Sequence, residues 1–442
     1  MKLGVLFHPT GNHVASWLHP ESQIDAGSNF RHYVELARTA ERGKFDTIFL
    51  ADALAVRGGD LNILKRWPQY MAYFEPVTLL SGIAALTERI GLIATSSTSY
   101  NEPFHVARRY ASLDHISAGR AGWNVVTSTN PKEPANFGRD EHFGHAERYK
   151  RAREFVEVVF GLWDSWDDEA LVRDRSTATY FDPTRVRAIN HQGSFFKVEG
   201  PLNMARPPQG HPVIAQAGSS EEGKELAAEF AEIVFSAQTR LEPAVAFYSD
   251  LKGRMEKYGR DFDELKILPG LNPIIGKTKA EASEKHEYLQ SLIHPAVGAM
   301  LLSAELGIDL TGLPVDEPVP EELIPSDTNA SKSGLRIMVD MIRKERLTIR
   351  QMYLRYAGAR GQRTMVGTPE QIADDMIAWY QASAVDGFLI QPGTLPAGMI
   401  EFVDTVVPIL QEKGVFRREY EGRTLRENLG LKRPENYFAR AV

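Results

Sequence analysis

The stretch Pro212-Val213-Ile214-Ala215-Gln216-Ala217-Gly218-Ser219-Ser220-Glu221-Glu222-Gly223 holds the decision about the fold. An apolar run ends at a glycine and passes with no linker into a helix start, where Ser219 and Glu222 have the spacing of a capping box. A strand feeding straight into a helix is the joint of a parallel α/β fold. Such a joint also gathers free backbone N–H groups at the positive end of a helix dipole, where phosphate binds well. Two readings stand here: a phosphate seat, or a cap that needs no ligand.

The same pattern repeats on both sides of this stretch. Strands are predicted at Leu3–Phe7, Phe45–Asp52, Ile90–Ser97, Ala121–Ser128, Pro212–Gly218, Glu232–Gln238, Leu265–Ile275 and Gly387–Gln391. Most are nearly continuous apolar runs, as suits strands with helices on one side and a packed barrel interior on the other. Helical rhythm separates them. Tyr149, Ala152, Val156, Val159 and Trp163 recur at three- and four-residue steps, as do Val106, Tyr110 and Leu113. Thr368-Pro369-Glu370-Gln371 reads as a capping box with proline at the first helical position. The alternation predicts an α/β fold, a (β/α)₈ TIM barrel with long insertions, as a single domain over 1–442. The insertions are 164–211, where Gln192–Val198 suits a strand, and 276–365. The second holds helical patterns at Ala280–Leu292 and Gly334–Tyr356 and a proline-rich stretch, Leu313–Pro325. Their apolar and aromatic content favours folded covers over linkers. The charged tail, 412–442, is expected to wrap the outside of the barrel or to pack on a partner subunit.

Composition narrows the function classes. The 442 residues are 43% hydrophobic and 25% charged, with a net charge of −7 and no Lys/Arg block, which argues against nucleic-acid and anionic-membrane partners. The absence of cysteine excludes disulfides, thiolate nucleophiles and iron–sulfur clusters. No run reaches the ~18 apolar residues of a membrane span, and the first residues do not resemble a secretory leader. A soluble cytoplasmic protein is expected. No Gly-x-Gly-x-x-Gly occurs, so a Rossmann nicotinamide fingerprint is missing.

In such barrels the chemistry gathers at the C-terminal ends of the strands. Strand one ends at His8, with His13 and Trp17 in its loop, and strand two ends at Asp52. Strand three runs into Thr95–Asn101, strand four into Asn124–Ser128, and strand five into Gly218-Ser219-Ser220. Gln238 and Gln391 close strands six and eight. This rim of hydroxyls and amides suits a polar-edged aromatic ligand better than a divalent metal. His142 and His145 are three apart, but no carboxylate cluster joins them, so no metal site is expected. His145 and Tyr149 lie one turn apart at the start of a helix, either facing a common neighbour or, for Tyr149, merely opening the buried stripe. Asp52 fits a general base, a ligand acceptor or a helix cap.

Longer blocks carry a resemblance. Ser117-Ala118-Gly119-Arg120-Ala121-Gly122-Trp123-Asn124-Val125-Val126-Thr127-Ser128, Ala135-Asn136-Phe137-Gly138, His145–Tyr149, Leu162-Trp163-Asp164-Ser165-Trp166, Pro212–Gly223 and Gly422–Leu431 follow in order along nearly the whole chain. The sequence resembles the bacterial-luciferase-like flavin monooxygenases, in the group of nitrilotriacetate, EDTA, long-chain alkane and dibenzothiophene sulfone monooxygenases. The resemblance implies a barrel that binds FMN as FMNH₂ and takes O₂ as co-substrate, oxygenating an organosulfur, aminopolycarboxylate or alkane compound. It implies cofactor-binding roles for Asp52, Thr98, Asn124, His145, Tyr149, Ser219 and Ser220, with the Ser219/Ser220 turn as phosphate seat. It implies a separate NAD(P)H:flavin reductase as electron source. His8, His13 and His145 are the candidate catalytic imidazoles, and a homo-oligomer is expected. Arg185, Arg187 and Arg206 in the first insertion read either as solvated surface charges or as partners of an anionic substrate. Two other readings remain: a deazaflavin-dependent oxidoreductase of the same superfamily, and a flavin-binding protein without turnover.

Overall fold

A computed structural model describes residues 1–324 and 332–438. Nine parallel strands run along the chain: β1 (Lys2–Leu6), β2 (Thr47–Leu50), β3 (Gly91–Ser97), β4 (Ala121–Val126), β5 (Val213–Gln216), β6 (Ile233–Ser236), β7 (Lys266–Ile275), β8 (Arg363–Gly367) and β9 (Gly387–Ile390). Eight of them close a ring in which β1 to β7 pair in order, and β9 joins β7 to β1, apart from β8. These eight are the strands that the apolar runs predict. β8 pairs only with the upper half of β7, from Arg363 beside Leu271 to Gly367 beside Ile275. It straddles the expected end of the 276–365 insertion and escapes sequence reading because it is short, starts on arginine and is only half-buried.

The barrel wall obeys the two-residue period of a strand. Ile48 and Leu50 of β2, and Leu92 and Ala94 of β3, face the helical layer, while Phe49 and Ile93 face inward. Inside they meet Val213, Phe235, Leu268 and Leu389, and the Phe49 and Phe235 rings lie 4.4 Å apart across the lumen. The interior is narrow enough to require glycine at 122, where a Cβ would stand 2.7 Å from Ile93 Cγ1. On β4 the neighbouring residues divide their tasks. Trp123 points outward among Tyr110, Phe155 and Trp163 and donates to Ser96 O (3.0 Å), which leaves Asn124 inside.

The tail departs from expectation. Leu425, Leu429 and Leu431 do not wrap the outside: they belong to the interior cluster and stop the barrel at its N-terminal mouth. The short helix Leu425–Leu429 begins with a two-way cap between Thr424 and Glu427, and Arg426 is paired with Glu232. The leucine spacing puts an apolar face on an otherwise charged segment, and the open end of the barrel is the surface that this face buries.

The 164–211 insertion holds a two-residue antiparallel pairing, His191–Gln192 with Lys197–Val198, in place of one strand. The 276–365 insertion is a helical cover. It contains Lys279–Ser291, Pro295–Leu306, Lys332–Glu345 and Ile349–Ala357, and shares an apolar cluster with Leu64 and Trp67 from the loop after β2. Part of the Gly334–Tyr356 pattern thus breaks into two helices. Among the described residues no helix is long and apolar enough to cross a membrane.

Candidate functional site

A cavity of about 930 Å³ opens at the C-terminal ends of β2 to β5, and Ser303 to Gly307 at the end of the Pro295–Leu306 helix roof it. Asp52, Thr95, Ser97, Tyr149 and Gln216 are among its lining residues. Period-two alternation explains the wall: with Ile93 inward, Thr95 and Ser97 face inward too, so the rim carries hydroxyls above an apolar plug.

The β5 joint forms one end. Ser220 caps the helix Glu221–Phe230, its Oγ accepting from Gly223 N (3.1 Å) and donating to Tyr149 Oη (3.3 Å). The cap is therefore Ser220, one residue after the Ser219 that spacing suggests. Ser219 lies exposed on the same turn. His145 and Tyr149 do share a neighbourhood, their ring centroids 5.1 Å apart, with His145 Nδ1 3.7 Å from Glu222 Oε1. Glu221, the other carboxylate of this first turn, is taken by Lys224 and Arg254, each at 2.6 Å.

Asp52 stands on the opposite wall. Its Oδ1 lies 3.0 Å from the Tyr73 hydroxyl, which also accepts from Ala53 N at 3.0 Å. Burial pushes the Asp52 carboxyl up to about 6, against the opposing pull of that hydrogen bond. Below, Asn124 donates to Thr95 Oγ1 (2.9 Å), while its Oδ1 is buried without a partner, as is Gln216 Oε1. Thr98 is not brought to the cavity. Its hydroxyl and its N–H both serve Val126 O, at 3.1 and 2.9 Å, tying the β3 loop to β4.

His8 and His13 line a second, smaller cavity of about 210 Å³ next to the first. His13 accepts from Ala15 N through Nδ1 (3.2 Å) and so presents its Nε2–H to Gln290 Oε1 (3.1 Å) on the cover. Burial holds it down at about 4, and burial, with Arg360 and Arg57 nearby, lowers His8 well below its ordinary value, so both are neutral at pH 7. Trp17 is a packing residue, its Nε1 donating to Arg66 O at 2.9 Å. His142 links two loops, between Tyr100 Oη and Asn130 O, each at 2.7 Å. The insertion arginines are all paired: Arg185 with Glu169 (2.7 Å), Arg187 with Asp167 (2.7 Å) and Arg206 with Asp164 (2.9 Å). Arg206 is buried and structural and Arg187 half-buried, while Arg185 remains the surface charge that one reading expects; none of the three lines the cavity.

Residues 5–387 match the luciferase-like monooxygenase family. The chain is 50% identical to N-acetyl-S-(2-succino)cysteine monooxygenase of Bacillus subtilis, with 100% of this chain and 98% of that protein covered. The chain belongs to the luciferase-like monooxygenase family. It is also 49% identical to nitrilotriacetate monooxygenase component A of Aminobacter aminovorans, with 100% and 98% covered. Among solved structures, a riboflavin lyase that holds a modified FMN and riboflavin superposes with a TM-score of 0.88 at 31% identity, covering 98% of this chain and 96% of that one.

Several lining residues of this luciferase-like barrel escape sequence reading. Arg57 and Tyr70 come from the loop after β2, and Glu305 from the cover. The available signal was that loop's length and its cluster of aromatics, Trp67, Tyr70, Tyr73 and Phe74. The Pro295–Leu306 helix gave none, because it is apolar on every side and so lacks the amphipathic rhythm.

Proposed function

We propose that the chain is the oxygenase half of a two-component monooxygenase, taking FMNH₂ from a separate NAD(P)H:flavin reductase and using O₂ to oxygenate a small organic compound. One observation carries the reading: a capped helix start with two hydroxyls at one end of a flavin-sized cavity, and orphaned amide oxygens beneath it. Ser220, Tyr149 and the Glu221–Phe230 N-terminus suit a phosphate, with Ser219 and His145 alongside. At Gly218 the turn is crowded, since a Cβ there would lie 2.5 Å from Gln216 Nε2 and would displace that amide. The unpartnered Asn124 Oδ1 and Gln216 Oε1 are acceptors, and a dihydroflavin edge has more N–H donors than an oxidised one.

Bound reduced FMN supplies the two electrons that activate dioxygen, one atom going to the substrate and the other to water. The protein's own contribution is positioning and dryness. Ser303–Gly307 overhang one side of the cavity, and Asp52 keeps a proton at the wall up to about pH 6. The substrate class we infer is an organosulfur, aminopolycarboxylate or alkane compound, a reading the names of the succinocysteine and nitrilotriacetate monooxygenases support.

The test is oxygen uptake by the purified chain with a generic flavin reductase, NADH, FMN and a substrate panel, with products read by mass spectrometry. Substrate gaining one oxygen atom only when FMNH₂ is supplied is expected. Equal turnover with oxidised FMN, or with a reduced deazaflavin alone, overturns the reading.

A further inference from the structure

Between the large cavity, which Arg57 lines, and the smaller one beside it, which Gln69, His8 and Arg360 line, runs a chain with an excess of hydrogen-bond donors. Arg57 Nη2 donates to Gln69 Oε1 (3.1 Å), Gln69 Nε2 faces His8 Nδ1 (3.2 Å), and Arg360 Nη1 faces His8 Nε2 (3.4 Å). A guanidinium stands at each end of this chain. Gln69 and neutral His8 each bring one donor and one acceptor to it. Three links need three acceptors and only two exist, so one link sets N–H against N–H. Flipping the Gln69 amide merely moves the conflict to the Arg57 link. The surroundings add to the excess: Arg57 Nε, Arg360 Nε and Trp67 Nε1 are all buried without an acceptor.

No ion pair among the described residues relieves this. Among the described residues, neither Arg57 nor Arg360 has a carboxylate within the 4.0 Å of an ion pair. Glu305 faces Arg57 from the cover helix but is hydrogen-bonded to Tyr356. Arg57 is held rigidly, its guanidinium 3.7 Å above the Trp67 ring. Tyr70 (φ 59°) and Arg360 (φ 51°) both occupy the left-handed region, which non-glycine residues enter at a cost that functional sites often carry. Buried arginines are normally paired, and their fork geometry fits a carboxylate.

We propose that Arg57 and Arg360 form a carboxylate-binding subsite, and that the compound oxygenated is an organic acid whose carboxylate completes the Arg57–Gln69–His8–Arg360 chain. This rests on the flavin reading above, with the phosphate at the Ser220 end and the acid at the other. Trp67 Nε1 is a further donor beside them.

The experiment is calorimetric titration of the full-length protein loaded with FMN. The probes are succinate, nitrilotriacetate and N-acetyl-S-(2-succino)cysteine, with succinamide and dibenzothiophene sulfone as neutral counterparts. At least one acid binds, its affinity falls tenfold or more in Arg57→Met and in Arg360→Met, and FMN affinity stays within twofold. Arg57→Lys and Arg360→Lys keep the charge but lose the fork, and recover part of the binding, which guards against a folding defect in the Met variants. The subsite is refuted if no acid binds the FMN-loaded protein, if binding ignores both arginines, if a neutral probe shows the same dependence, or if Arg57→Met weakens FMN and spares the acids. Failure of FMN itself to bind is scored separately and defeats the flavin reading, whatever the acids do.

Discussion

Tyr149 and Ser220 are neighbours through one hydrogen bond, and this fixes how their removal should combine. Tyr149→Phe and Ser220→Gly should each weaken FMN binding by about 1–2 kcal/mol. The double variant should lose less than the sum, because the two hydroxyls share a partner. Glycine is the better replacement at 220, since it costs a helix cap only a few tenths of the roughly 1 kcal/mol that alanine costs. Quenching of flavin fluorescence measures both, and additive losses would contradict a shared phosphate seat. Asp52 is a pH effect at the same scale. Its pKa in the folded protein, about 6, is above the ordinary 3.8. The stability contributed by the protonated form is thus complete below the ordinary value and is lost as pH rises through about 6. Asp52→Asn lacks this dependence, so between pH 4 and 7 it should gain about 1–3 kcal/mol on the wild type. Urea melts at the two pH values test this, and parallel curves would show that Asp52 is ionised throughout. Of these residues, the ones at strand ends were legible from the sequence. Arg57 and Arg360 were not, because a charge in a long loop looks solvated until folding places it beside Trp67 or His8.

The cover depends on a close approach between two helices. Gly298 of Pro295–Leu306 faces the Tyr353 ring of Ile349–Ala357, where a Cβ would stand 2.3 Å from Tyr353 Cγ. Gly298→Ala must therefore push the helices apart, and should cost about 1–3 kcal/mol of cover stability. The barrel would remain intact, so limited proteolysis should cut within the 276–365 insertion first, while the melting of the barrel changes little. A variant as resistant as the wild type would show that the helices can shift without penalty. What sequence reveals at this scale follows from periodicity. Lys279–Ser291 and Pro369–Gln381 are marked by caps or an apolar stripe. Pro295–Leu306 is mostly apolar round its circumference and has no stripe to read, and β8 takes its identity from β7 beside it rather than from its own residues.

The molecule as a whole is a tube with different chemistry at its two mouths. The upper mouth leaves the amide oxygens of Asn124 and Gln216 without partners above the apolar layer of Phe49, Ile93 and Phe235. The lower one is sealed by Leu425, Leu429 and Leu431. Leu429→Ala should destabilise the whole protein by about 2–4 kcal/mol as a cavity in a shared core. It should lower the midpoint of cooperative unfolding measured by near-UV dichroism, and a loss confined to the last residues would argue that the stopper is dispensable. The closed ring was legible because eight apolar runs alternate with helices. The stopper was not, since a charged tail with three spaced leucines reads equally well as a surface strap. Its position also bears on biosynthesis. Residues 425–431 emerge from the ribosome only after every barrel strand has been made. Until then a ring of apolar side chains lacks its cover, and a nascent barrel is exposed to aggregation for as long as that segment is awaited.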